Sequence, residues 1–138
     1  QSVSTLTRSR RGMAATFASS GLGPDSAYTL WWVVFNRPEF CATAPCTAED
    51  LGNPEVEAGF CGGSGALSDG TGRIRLSSRA RIGRNPDHDE PDPALRAGLV
   101  FPRRAEVHLV VRNHGPAENL AFSVRPLQHV DQRPGECV

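Results

Sequence analysis

The chain has 138 residues, 38% of them hydrophobic, with 15 basic and 15 acidic side chains and a formal net charge of zero. A single domain of that length buries a core without help from a metal, and a balanced charge argues against nucleic acid or an anionic membrane as a general partner. The longest apolar run is far short of the ~20 residues that cross a bilayer as a helix, so no membrane insertion is expected.

Alternation with period two governs the chain, and no long stretch carries the helical period. With 14 glycines and 11 prolines scattered along it, the expectation is a turn-rich all-β fold. Residues 3–8 read as a polar edge strand of their own sheet, with donation to a neighbouring subunit as the alternative. Residues 12–19 make a second strand, with Met13, Ala15 and Phe17 on one side. Gly23 and Pro24 then turn the chain, and Leu22, Pro24 and Tyr28 resemble the tyrosine corner of Greek-key sandwiches.

The uncharged run from Tyr28 to Phe35 is apolar on both faces, which predicts a central core strand covered on both sides. Trp31 and Trp32 cannot share a face, so one is expected inside and the other beneath the following loop. An aromatic platform for sugar or single strands would interleave polar or basic residues, and this run does not. Residues 36–55 hold three prolines and two cysteines and predict a long loop folded back over the sheet. Residues 56–61 read as a short strand and 62–72 as a glycine-rich hairpin connection.

The clearest alternation spans 73–82: Ile74, Leu76, Ala80 and Ile82 inward, Arg73, Arg75, Arg79 and Arg81 outward. A one-residue slip would bury the arginines, so the register is pinned. Residues 83–103 form a second long loop, acidic and proline-rich. Residues 106–113 make a strand with Val107, Leu109 and Val111 inward, and 119–125 a last one. The sum is an antiparallel β-sandwich, immunoglobulin-like or superoxide-dismutase-like, of about seven strands, forming one domain over 1–138.

Cys41, Cys46, Cys61 and Cys137 are an even set without zinc-ligand spacing, which predicts two disulfides and an oxidising compartment. The favoured pairing is Cys41–Cys46 as a loop staple and Cys61–Cys137 as a long-range tie. On the chain-entropy model the first contributes about 2 kcal/mol and the second roughly 4–5. Gln1 reads as a mature N-terminus left by removal of an export signal. No Asn-x-Ser/Thr site is present, which fits a bacterial secreted protein better than a glycoprotein.

The blocks "AYTLWWVVFNRPEFC", "EDLGNPEVEAGF" and "AEVHLVVRNHGP" resemble a group of uncharacterised secreted bacterial β-sandwich proteins. Its members carry an AYTxWWVxFNxPxxC block and an HLVVRxHGP block. The resemblance covers 20–60 and 103–116, and implies export and disulfides. It implies no activity.

Every basic residue is arginine, which excludes lysine chemistry and supplies cations that fork onto carboxylates. Arg73, Arg75, Arg79 and Arg81 are the first candidate site, as a grip for an acidic polymer; the competing expectation is pairing with Glu55 and Glu57 across strands. The second is the acidic loop, where Asp87, His88, Asp89 and Asp92 could hold calcium or copper. Its sign is opposite to that of the arginine strand, so head-to-tail pairing of subunits is a further use. His108 is expected on the solvent side beside Glu106, and a copper site with His114 is the lesser option. "CGGSGA" lacks the spacing and strand-to-helix context of a nucleophile elbow, and no enzyme is expected. No cofactor is required. The function expected is a secreted structural or interaction module that binds a protein partner or itself.

Overall fold

A computed structural model describes residues 1–83 and 97–118 and the backbone of Glu136 and Cys137. The strands in chain order are β1 (Ser2–Arg8), β2 (Gly12–Ser19), β3 (Ser26–Phe35), β4 (Ala58–Leu67), β5 (Ile74–Arg81), β6 (Glu106–Pro116) and the two-residue β7 (Glu136–Cys137). They form an antiparallel sheet β1-β2-β5, with β7 added parallel to β5, and a second antiparallel sheet β4-β3-β6. The all-β expectation is met by six full strands and one short one. The expected strand over 119–125 and the acidic candidates Asp87, His88, Asp89 and Asp92 lie outside the described residues.

The two sheets face each other across a continuous core. Met13 and Ala15 of β2 and Ala80 of β5 pack on Trp32, Val34 and Cys61 of the other sheet. Ile74 and Leu76 meet Tyr28 and Leu30. Trp32, Leu30 and Phe35 are among the largest fully buried side chains, and each aliphatic or phenyl group so buried contributes about 1.5–3 kcal/mol. The indole Nε1–H of Trp32 donates to Ser78 Oγ at 2.8 Å, which joins the two sheets through a polar pair and keeps a buried donor satisfied.

β4 departs from the expected pattern. It begins two residues later than expected and continues through the glycines assigned to a hairpin. Close approach explains Gly63 among those glycines: a Cβ there would lie 2.6 Å from Ser78 Oγ, whereas one on Gly62 would meet the Trp31 ring at an ordinary 3.5 Å. Gly63 is the extra residue of a β-bulge, since Leu30 pairs with Ser64 and Trp31 with Gly62. The connection to β5 is then a tight turn in which Asp69 accepts hydrogen bonds from Thr71 N, Thr71 Oγ1 and Arg73 N.

The 36–57 loop lies over the outer face of β3 and β4, as its composition suggests. Val56, Cys46 and Leu51 cover Val33 and Phe35, and Cys41–Cys46 staples the loop. Asp50, only 4% exposed, organises it from within, accepting from Ala42 N at 2.8 Å and Thr47 N at 2.7 Å. Those N–H groups hold its carboxyl below the usual range.

Asn36 is the buried knot at the end of β3. It is 0% exposed; its Nδ2 donates to Glu57 O and Gly98 O, and its Oδ1 accepts from Val100 N. One amide thereby satisfies backbone from two loops that no ladder reaches. Arg8 makes a similar tie on the other side, donating to Pro102 O and Ala105 O at 2.8 Å each.

Two expectations need correction here. Ile82 is 49% exposed rather than inward, because the strand stops at Arg81 and Ile82 forms an isolated bridge with Leu99. The corner before β3 is tied by serines, not by the phenol: Ser26 Oγ donates to Pro24 O and Ser68 Oγ to Gly23 O. The Tyr28 ring instead packs into the core.

Candidate anion-binding face

The outer face of β1-β2-β5 is built by alternation alone. In β5 burial alternates strictly, so Arg75, Ser77, Arg79 and Arg81 point to solvent. Their neighbours on β2 are small: Ala18 beside Arg75, Thr16 beside Ser77, and Ala14 beside Arg79. Beyond them Val3, Thr5 and Thr7 of β1 complete the face, with the Thr5 and Thr16 hydroxyls hydrogen-bonded to each other. The three strands contain no aspartate or glutamate. Guanidinium groups therefore stand along one side of a low, flat floor of methyls and hydroxyls.

Arg73 sits just before β5 at the turn held by Asp69. That carboxyl is pulled below the usual range mainly by the Arg73 N–H and then by Thr71. The expected pairing of the arginines with Glu55 and Glu57 does not occur. Glu57 pairs with Arg37 at 3.2 Å, and Glu39 with Arg104 at 2.9 Å, both beside the other sheet. The physical reason is topology: the chain changes sheet between β4 and β5, so residues just ahead of β4 cannot lie beside β5. Among the described residues Arg75 and Arg79 have no carboxylate partner.

A cleft of about 550 Å³ adjoins these two arginines, bordered by Arg75, Ser77 and Arg79 of β5, Ala14 and Thr16 of β2, and Ser64 of β4. The Ser64 Oγ is buried and has no hydrogen-bond partner. Among the described residues no carboxylate, imidazole or thiol lines the cleft. It offers positive charge and hydroxyls, the requirements for holding an anion with polar substituents. The cleft is not legible in the sequence, because Ser64 reaches it only through the continuation of β4 past Gly63.

The other candidates are placed as follows. His108 Nε2 donates to Glu106 Oε1 at 2.7 Å, and that oxygen also accepts from Cys46 N. His114 lies apart from it, bonded to Thr29 Oγ1 at 2.7 Å. Trp31 Nε1 donates to the same hydroxyl, which leaves the Thr29 hydrogen for His114 Nε2. Burial, with Arg112 nearby, holds the His114 pKa below its ordinary value and so favours the neutral ring this bond needs. The two histidines are thus bound into separate networks. Trp31 is half-buried and stacks on Phe60 at 4.9 Å, and Phe60 packs against the cluster formed with the stapled loop.

Among the described residues one cluster has metal-ligand proximity, Cys41, Cys46 and Asp50. Its sulfurs are joined in a disulfide and its carboxylate is saturated by backbone N–H groups, so it does not fit a metal. Cys61 is buried and is not a free thiol; the Cys137 side chain lies outside the described residues. No helix among them is long and apolar enough to cross a membrane. Compared with protein-family models, with curated proteins and with solved structures, the chain matches none.

Proposed function

We propose that this chain is a secreted, non-enzymatic interaction module that engages an anionic partner through the outer face of β1-β2-β5. The observation that carries this is the outer face of β1-β2-β5, whose strands hold no acidic residue, with Arg75 and Arg79 lacking a carboxylate partner among the described residues and lying beside a cleft; the acidic position of β7, Glu136, stands in register with Arg79. Among the described residues the acidic side chains in ion pairs, Glu39, Glu57 and Glu106, belong to β6 and to the loops beside the other sheet. Two neighbouring arginines without such partners present a local field where a neutral surface would present none.

The sandwich is of immunoglobulin-like type in this reading. The order β1-β2-β5 over β4-β3-β6 follows strands A-B-E over C′-C-F of that architecture. A Cys61–Cys137 bond would close its C-terminal end, since the β7 backbone at Cys137 pairs with Ala80, a core neighbour of Cys61. Two disulfides and export fit the resemblance to secreted bacterial proteins.

The test is retention of the full chain on immobilised poly-glutamate at low and high salt. The expected result is retention at low salt that is lost in Arg75→Ser/Arg79→Ser and kept in Arg103→Ser/Arg112→Ser, which removes the same charge elsewhere. Equal retention of both double variants would overturn the assignment of the face.

A self-assembling version is favoured by one observation: Glu39, Glu49, Asp50, Glu55 and Glu57 gather in the loop over the opposite outer face. Head-to-tail stacking would then bring unlike faces together. Negative-stain electron microscopy separates the two. Ordered filaments that vanish in Arg75→Ser/Arg79→Ser support assembly, and dispersed particles remove it.

A further inference from the structure

The sheet β4-β3-β6 ends on β6, and among the described residues no strand pairs with the outer edge of β6. Such an edge is a row of unpaired N–H and C=O groups, which proteins blunt with proline, inward charge, a bulge or brevity. β6 has none of these over residues 107–111. It runs for 11 residues, its bulge lies at the far end opposite Ala27 and Tyr28, and Pro116 is its last residue. The core also runs out at this edge. Tyr28, Leu30, Trp32 and Val34 on the inner face of β3 are each 4% exposed or less, whereas Val107, Leu109 and Val111 beside them are only partly buried.

We propose that this edge pairs with the same edge of a second copy, antiparallel about Leu109, in a two-fold dimer that joins the two β4-β3-β6 sheets into one. The choice of a second copy rests on the strand read against itself. With Leu109 opposite Leu109, Val107 falls opposite Val111 and His108 opposite Val110. Glu106 falls opposite Arg112, once at each end of the paired segment. Inward residues meet inward ones, because strand faces alternate with period two. A register shifted by one would set each inward valine or leucine beside an outward residue. A shift by two would lose both pairs of opposite charge.

Both charged groups are placed to serve. Arg112 is exposed and has no carboxylate partner among the described residues. Oε1 of Glu106 accepts from His108 and from Cys46 N, which leaves Oε2 for the second copy. Apolar and opposite-charge pairs across strands each contribute about 0.2–1 kcal/mol, and this register supplies both kinds twice. The contact goes beyond the anionic face, which lies on the other sheet. It also differs from head-to-tail stacking, because a two-fold contact closes on itself.

Sedimentation equilibrium of the full chain over a concentration series tests this. The expected mass rises from 14.8 kDa towards twice that value. Arg112→Glu sets like charges opposite each other at both ends and should weaken the dimer about tenfold, with circular dichroism unchanged because the side chain is exposed. No described cysteine is free, so Leu109→Cys introduces a new thiol at the two-fold axis and should give a disulfide-linked dimer on mild oxidation. Leu67→Cys, where the leucine is 49% exposed on the strand at the opposite edge of the same sheet, should not link. A mass of 14.8 kDa at every concentration would overturn the proposal. So would a dimer that Arg112→Glu leaves intact and Leu109→Cys fails to link, since the copies would then meet elsewhere. Retention on poly-glutamate reads the arginine face separately from either result.

Discussion

Asn36→Ala is expected to be a severe single change, although no charge, metal or aromatic is touched. The native amide makes three bonds of 2.8–2.9 Å, to Glu57 O, Gly98 O and Val100 N, and is wholly buried. Truncation removes all three, leaves Gly98 O and Val100 N without their partners, and leaves Glu57 O only the 3.5 Å bond from Asn36 N. Each orphaned buried group costs about 1–3 kcal/mol, so roughly 3–5 kcal/mol is expected in total after partial relaxation. Against a domain stability of about 5–15 kcal/mol this is a large share. For a chain of this length it corresponds to a fall in Tm of about 10–15 °C. Urea unfolding followed by fluorescence of the two tryptophans reads the change directly. A loss below about 1 kcal/mol would refute the reasoning, because it would mean that water or rearranged backbone satisfies those groups at no penalty.

Three further outcomes are expected. Gly63→Ala places a Cβ 2.6 Å from Ser78 Oγ and 3.0 Å from Leu30 O and should cost about 1–3 kcal/mol by overpacking; Gly52→Ala, with open space around it, serves as the neutral control in thermal melts. Cys41→Ser/Cys46→Ser should lower stability by about 2 kcal/mol in urea and increase binding of an apolar dye as the loop lifts from Phe35 and Val56. In acid, the Asp50 and Asp69 carboxylates, both held below their ordinary pKa, set the sign. A folded pKa below the unfolded one gives stability that is present above the unfolded value and lost as pH falls through the folded one. Tm should therefore hold down to about pH 4 and fall below it, with Asp50→Asn/Asp69→Asn flattening the profile; a Tm that rises on acidification would contradict this.

The sequence carries the strands that alternate. β2 matches its expected bounds, and β5 and the arginine stripe follow from the contrast of apolar and charged positions, because a slipped register would bury cations. The loop over β3 was also legible, since a run apolar on both faces demands a cover and the cysteines fall where one would be stapled. What pattern reading missed depends on side chains approaching across the sandwich. Glycines 62, 63 and 65 signal a turn by composition, yet all three sit within β4, and at Gly63 the Ser78 hydroxyl leaves no room for a Cβ. Asn36 ends an apolar run in sequence and is the knot of two loops in space. Pairing of Glu57 with Arg37, and not with β5, follows from which sheet each strand joins, and single-sequence alternation is silent on that.

Because every cation in the chain except the N-terminus is an arginine, one arginine-specific reagent reports on the whole basic surface. Labelling the full chain with phenylglyoxal, with and without poly-glutamate, and locating the adducts by mass spectrometry tests the central claim most directly. The predicted result is protection of Arg75 and Arg79 while Arg103 and Arg112 label at their unliganded rates. Protection centred on Arg103 and Arg112, or uniform protection of all exposed arginines, would contradict the assignment of the β1-β2-β5 face as the contact surface.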